Sequence, residues 1–284
     1  MELLTAALAR ELLPLRPEHQ AKWSFGRALL LCGSTQFSGA ALLSAEAALR
    51  SGAGLVQLCS APEVIAAARV RLPEALLQAL PPEDTDCASI VEQAMTKSTA
   101  ILLGCGSGIS ARGRTLLRQV LPTSLPLVLD ADGLNLLAED PGLLRLRQGP
   151  AVLTPHRGEF CRLTGLSAAA LEADPGEHAR QLAAQYGVTV VLKGAVTHIT
   201  DGARQLRLDA PNSGLAKGGS GDVLAGLCAG LLAQGMSPLE AGTLAVWLHS
   251  RAGALARAES GPYAMLPRDV LAQLPRAFLS LEDA

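Results

Sequence analysis

No stretch of the 284 residues reaches about 18 uninterrupted apolar positions, so the sequence offers no membrane-spanning helix. No run is rich in Lys or Arg, and a formal net charge of -2 gives no reason to expect nucleic acid or an anionic membrane as partner. Charged residues make up only 18% against 49% apolar, which excludes a disordered chain and implies a packed core. The six cysteines include no C-x-x-C pair and sit mostly in apolar runs such as ALLLC and LVQLC. They read as small buried hydrophobes in a reducing compartment, not as zinc ligands or disulfides. No G-x-x-x-x-G-K-[ST] occurs, and GCGSG at 104–108 is not the dinucleotide fingerprint, so neither a P-loop nor a Rossmann site is supported. His156 and Glu159 have H-x-x-E spacing, which is not a zincin pattern. There is no self-similarity at a period of roughly 20–50 residues. The N-terminus lacks the basic-then-apolar layout of a signal peptide. A cytoplasmic protein with a small-molecule partner is expected.

What is present is a regular alternation. The segment 1–20 reads as a short amphipathic helix ended by Pro14 and Pro17. ALLLC (28–32) is a strand, followed by a loop and a helix with Ser38 as N-cap and Gly52 just past its end. LVQLC (55–59) and a helix opened by Pro62 repeat the unit. A polar segment (81–89) precedes a further helix, and AILLG (100–104), a helix at 111–121 and PLVLDAD continue the series. GLNLLAED is a short helix, AVLTPH a strand ending at His156, and GEFCRLTG a helix closed by Gly165. Asp174-Pro175-Gly176-Glu177 is a capping-box variant opening a helix that Gly187 closes. After the strand 188–194, two strand-like runs around Asp201-Gly202 give the strongest hairpin signal in the chain. Ser237, Pro238 and Glu240 start another helix, and a last one covers roughly 267–281. With no linker in mid-chain, a single α/β domain over 1–284 is expected. Its sheet would be mostly parallel, with helices on both faces and an antiparallel hairpin at one side.

Asn212 to Gly226, NSGLAKGGSGDVLAG, is a glycine-rich loop running straight into a helical pattern. Amides of Gly218, Gly219, Ser220 and Gly221 and the positive end of the helix would make an anion hole fit for phosphate. Asp222, in the first helical turn, is placed either as a capping residue or as a base able to take a proton from a hydroxyl. In an open parallel sheet ligands bind beyond the C-terminal strand ends. The residues leaving those ends are Gly33 to Gly39, Gly104 to Gly108, Asp130 and Asp132, His156 and Glu159, and Lys193 with Gly194. Taken singly, each has a plain structural reading. Lys193 could be an exposed charge, His156 a hydrogen-bonded turn residue, and the two aspartates caps. A phosphate loop, a cation and several carboxylates collected at one sheet edge favour a site.

The segments GSTQFSGAALLSAEAALRSGAGLV, VLDADGLNLL, LTPHRGEFCRLTG, VVLKGAVT and NSGLAKGGSGDVLAG resemble, in order from about Lys22 to about Tyr263, the ADP-dependent NAD(P)H-hydrate dehydratases. That family lies in the ribokinase-like superfamily, and TPHxxEF with KG and GGSGD sets it apart from sugar kinases and from vitamin kinases, which usually carry Asn in place of His156. The resemblance implies a ribokinase-like three-layer sandwich and dehydration of the S-form of hydrated NADH or NADPH, with ADP (or ATP) as co-substrate and Mg²⁺ as cofactor. It implies that Ala40, Gly106, His156 and Asp222 touch the hydrate. Lys193, Gly194, Ala195, Val196, Thr197 and Gly221 would hold the nucleotide, Asp222 would be the catalytic base, and Glu159 would be associated with the metal. It also implies a homo-oligomer, a tetramer, working with a separate epimerase, since the epimerase domain fused to many bacterial members has no room ahead of residue 20. Lys22-Trp23 replaces the more usual Lys-Gly, and Lys217 stands where many members have Thr. A ribokinase-like kinase of the hydroxymethylpyrimidine, thiazole or sugar type is the alternative, and His156 argues against it.

Overall fold

The computed structural model describes residues 1–81 and 84–282. Among these, the chain runs β1 (Glu2–Leu3), α1 (Ala6–Glu11), β2 (Arg27–Leu31), α2 (Ser38–Arg50), β3 (Leu55–Ser60), α3 (Pro62–Arg71), β4 (Leu76–Ala79) and α4 (Asp84–Met95). It continues through β5 (Ala100–Leu103), α5 (Ala111–Val120), β6 (Leu127–Leu129), α6 (Asp132–Glu139), β7 (Ala151–Leu153), α7 (Arg157–Thr164), α8 (Ala168–Ala173) and α9 (Pro175–Tyr186). The last third is β8 (Thr189–Leu192), β9 (Val196–Thr200), β10 (Gln205–Asp209), α10 (Ser220–Ala233), α11 (Pro238–Ala264) and α12 (Pro267–Glu282).

The strands form one sheet in the order β1-β10-β9-β8-β7-β6-β5-β2-β3-β4. β8 to β4 are joined by parallel pairs, while β8–β9 and β9–β10 are antiparallel, the expected hairpin. Both faces of the parallel part are covered, so its central strands β5, β6 and β7 are apolar at every position and not at alternate ones. Ala28, Leu30, Leu102 and Val128 point into the core shared with α2, α3, α10, α11 and α12. Leu29, Leu31, Ile101 and Leu129 point into the core shared with α4 to α9. This is the ribokinase-like three-layer arrangement.

α10 carries the glycine loop and is placed by its own sequence. Gly226 and Gly230 stand one helical turn apart, and a Cβ at either would lie 2.2 Å from Ser44 O and 1.9 Å from Ser51 Oγ. Only glycine lets α10 approach α2 so closely, and that approach sets the loop at the ends of the central strands.

Several expectations are corrected. The N-terminal segment is a helix only over Ala6–Glu11: Thr5 caps it, and the residues before it add a strand beside β10, with Leu4 N–H donating to Arg207 O. Ser38 is the first helical residue and not the N-cap, which is Phe37 with no side-chain bond. β4 was not foreseen. α4 already begins at Asp84, inside the polar segment expected to precede it, and residues 82–83 of that segment lie outside the described residues. Half of the Asp174 capping box forms: Asp174 accepts from Glu177 N–H, while Glu177 turns its carboxylate to Arg180 and Gln181.

Candidate active site

The ends of β2, β5, β6, β7 and β8 meet the first turn of α10 in a cluster of charged groups. Asp130 leaves β6 almost fully buried, 1% exposed. Its Oδ1 accepts from Lys193 Nζ at 2.7 Å and from Thr154 Oγ1 at 2.7 Å. Lys193 leaves β8, whose register against the β7 end is continued by a bridge between His156 and Lys193. Its ammonium also lies 3.9 Å from Glu159 Oε2, and its side chain is only 19% exposed. Burial pulls the ammonium toward its neutral form, but Asp130 and Glu159 more than offset this and raise its proton affinity. Lys193 is therefore a paired and largely buried cation, not the exposed charge that its strand-end position allowed.

His156 is the N-cap of α7. Its Nδ1 accepts from the N–H groups of Gly158 and Glu159, and Glu159 Oε2 accepts from His156 N–H, a reciprocal capping box. Two N–H donors on Nδ1 assign the neutral tautomer with its hydrogen on Nε2. That edge of the ring is half exposed and 3.3 Å from Glu159 Oε1. The turn role foreseen for this histidine is real, and its Nε2 edge lies against the Glu159 carboxylate while the side chain as a whole is half exposed.

Asp222 is the third residue of α10, behind the N-cap Gly219 at φ 100. Its carboxyl is pushed up to about 6, first by burial and next by Asp130, with the Cys105 hydrogen bond and Lys193 pulling the other way. A carboxylate ionised at neutral pH yet close to its midpoint is suited to accept a proton. The donor atoms of Cys105, Asp130 and Asp222 lie within 4.8 Å of one another. A hard divalent ion does not suit this trio. One member is a thiol held protonated by a hydrogen bond to Cys32 and by burial, and Lys193 already supplies the cation.

Gly221 packs directly over the pair: a Cβ there would lie 3.1 Å from Lys193 Nζ and 3.7 Å from Asp130 Oδ2. Gly218 is exposed, while Ser220 is 7% exposed with its Oγ unpartnered among the described residues. Gly194 and Ala195 are exposed at the turn into β9, beside the cluster, and Thr197 Oγ1 donates to Gly194 O. Ala40 and Gly106 face each other, since a Cβ on Gly106 would lie 2.8 Å from Ala40 Cβ and 2.8 Å from Phe37 O. Asp132 turns from the cluster and accepts from Gly108 N–H at 2.8 Å, pinning the loop after β5. Lys217 also turns aside, donating to Tyr263 O at 2.7 Å.

Sequence reasoning missed Thr154, Cys105 and His249. His249, on α11, is hydrogen-bonded to the backbone of Ser220, and burial pushes it down to about 4, so it stays neutral. Its position in a long apolar helix carried no signal. Two concavities, of about 480 Å³ beside Pro62, Leu80 and Ile90 and about 210 Å³ beside Pro14, Phe25 and Gln234, contain none of these groups.

Gly106 holds φ 65 with Phe37 and Ala40, from the loop and helix start after β2, against its Cα. Gly106→Ala is expected to lower stability by about 1–3 kcal/mol through strain and overpacking, read as a fall in melting temperature. An unchanged melting point would mean that the contact between the two loops is slack.

The model of the NAD(P)H-hydrate dehydratase family matches residues 28–276. A bifunctional NAD(P)H-hydrate repair enzyme of Moorella thermoacetica is 38% identical over 99% of this chain and 54% of its own length. That of Escherichia coli is 35% identical over 95% of this chain and 50% of its own length. The chain thus spans about half the length of the curated relatives it matches. An ADP/ATP-dependent NAD(P)H-hydrate dehydratase of Bacillus subtilis, co-crystallised with ATP and Mg²⁺, superposes with a TM-score of 0.87 at 32% identity, covering 99% of this chain and 98% of that one. A hydroxyethylthiazole kinase of Pyrococcus horikoshii shares the fold at a TM-score of 0.64 and 17% identity, over 95% of this chain and 92% of that one. With the model matched over nearly the whole sequence and relatives of this identity along it, the chain belongs to the NAD(P)H-hydrate dehydratase family.

Proposed function

We propose that this protein restores NADH and NADPH from their hydrates, with ADP or ATP as phosphoryl donor. The observation that carries the reading is Asp222, raised to about 6 at the head of α10 behind the glycine loop, its carboxylate within 4.8 Å of that of Asp130, which holds Lys193. A ring hydroxyl is a poor leaving group. Asp222 takes its proton, and the oxygen bonds to the terminal phosphorus of the nucleotide while the bond to the leaving nucleotide breaks, giving AMP from ADP. The new ester is expelled as inorganic phosphate while the adjacent ring carbon loses a proton and the double bond forms. Amides of Gly218 to Gly221 stabilise charge on the transferring group, and positioning does most of the work.

In this reading Ala40, Gly106 and the half-exposed imidazole of His156 contact the hydrate. Lys193 to Thr197 and Gly221 contact the nucleotide. Glu159 fits Mg²⁺ only through water: its Oε2 already accepts from His156 N–H and lies 3.9 Å from Lys193 Nζ, so an ion bonded directly to it would press on the ammonium. A hydrated ion carried on the nucleotide phosphates suits that place, and there it would neutralise phosphate charge. A homotetrameric assembly and a reducing compartment such as the cytoplasm belong to the same reading. The six cysteines are free, and among the described residues no helix is long and apolar enough to cross a membrane.

The test is incubation with hydrated NADH and ADP. Reduced-nicotinamide absorbance is expected to return, with AMP and inorganic phosphate appearing in equal amounts. A kinase would instead leave a stable phosphorylated product, visible by mass spectrometry without any gain in absorbance, and that result would falsify the dehydratase reading.

A further inference from the structure

Asp130 takes no part in the steps above, yet more of the site converges on it than on any of the groups proposed to touch substrate. Its Oδ1 holds both Lys193 and Thr154 at 2.7 Å, and its Oδ2 faces Cys105 Sγ at 3.8 Å. The backbone beside it is forced. Ala131, at φ 49 and ψ -116, is the one non-glycine residue with left-handed φ among the described residues. Such a conformation costs on the order of 1–3 kcal/mol and persists only where its surroundings impose it. Its effect is to split two carboxylates that are two residues apart: Asp130 turns inward to Lys193, and Asp132 turns outward to Gly108 N–H.

We propose that Asp130 is a positioning residue for the reaction: it anchors the Lys193 ammonium under Gly221 and sets a second carboxylate within 4.8 Å of that of Asp222, so that it governs the charge the base faces. The inference rests on the reading of Asp222 as the base. The groups facing Asp222 are Asp130 from the β6 end, Cys105 from the β5 end and Lys193 from the β8 end, while Asp132, turned to Gly108 N–H, adds only a weaker charge effect. Glu159 on α7 acts on the same ammonium, and His249 on α11 meets the loop at Ser220. Burial is the largest influence raising Asp222, and Asp130 comes next, ahead of the opposing Lys193. Removing the Asp130 charge should therefore make Asp222 easier to ionise and a poorer base, the more so because Lys193, which acts in the same direction, is then free to approach it.

The experiment is a pH titration of the nucleotide-free full chain carrying carboxyl-¹³C aspartate, with the Asp222 resonance identified by its loss in Asp222→Asn. The midpoint is expected near 6 in the unaltered protein and about one unit or more lower in Asp130→Asn. The acid limb of kcat/KM should move with it. If the single variant does not fold, Asp130→Asn with Lys193→Gln removes both charges at once. The midpoint should still fall, by less, because the anion outweighs the cation. A midpoint and acid limb that stay in place in a folded variant overturn the inference while leaving the role of Asp222 intact. Full activity in Asp222→Asn, with the midpoint shift still seen, overturns the base assignment and with it the catalytic meaning of Asp130.

Discussion

Asp222→Asn is expected to lower turnover by a factor on the order of 10²–10⁴ while making the protein more stable at neutral pH. The first effect is the usual worth of a positioned general base. The second follows from the direction in which the carboxyl is displaced. Its midpoint rises from 3.8 to about 6 on folding, mainly by burial and by the facing Asp130. Between those values the folded chain holds a proton that the unfolded chain has released. The contribution of this group to stability is thus intact below pH 3.8 and is lost as pH rises through about 6. The loss at pH 7 is on the order of 3 kcal/mol. Asparagine carries no charge to bury and avoids it. The variant should match the unaltered protein near pH 4 and melt several degrees higher at pH 8, since roughly 2–4 °C accompanies each kcal/mol in chains of about this size. Differential scanning at the two pH values reads the gap. Turnover within a few-fold of the unaltered enzyme would return Asp222 to a capping role, and a gap that does not widen with pH would show its carboxyl to be ordinary.

That trade of stability for function also marks where the sequence stopped being legible. Apolar runs such as ALLLC and AILLG announce buried parallel strands because both sheet faces are covered, and the structure has them at β2 and β5. Gly165 and Gly187 announce helix ends, and both take left-handed φ there. β4 gave no comparable signal: it is an edge strand with partly exposed residues, only four residues long and without a β-branched or aromatic residue. At the site, the glycine loop and Asp222 could be read because a phosphate loop is a local pattern. The bond between Asp130 and Lys193 could not, because it spans 63 positions and exists only through the register of β6, β7 and β8. Thr154 is invisible for the same reason. His156 could be read in both of its roles, cap and candidate contact, and it was the strand-end position that left them undivided.

The register also changes what removing Lys193 should do. A loose strand-end charge could be truncated with little effect on melting and would matter only to nucleotide affinity. In the folded protein its ammonium is the counter-charge for Asp130, 1% exposed, and stands 3.9 Å from Glu159, 6% exposed. Lys193→Ala leaves both carboxylates buried without it, and breaking a buried pair from one side typically costs about 3–5 kcal/mol. A fall in melting temperature of roughly 10 °C is expected, together with a weaker ADP affinity by calorimetry if the ammonium meets the phosphates. Adding Asp130→Asn to Lys193→Ala removes the more deeply buried of the stranded charges, so the double variant should melt above the single one although it carries one more substitution. A double variant that melts lower still would mean that the pair contributes through hydrogen bonds to Thr154 and Cys105 and not through its charges. An unchanged ADP dissociation constant in folded Lys193→Ala would take the residue out of the nucleotide site and leave it as the support that keeps Asp130 in place.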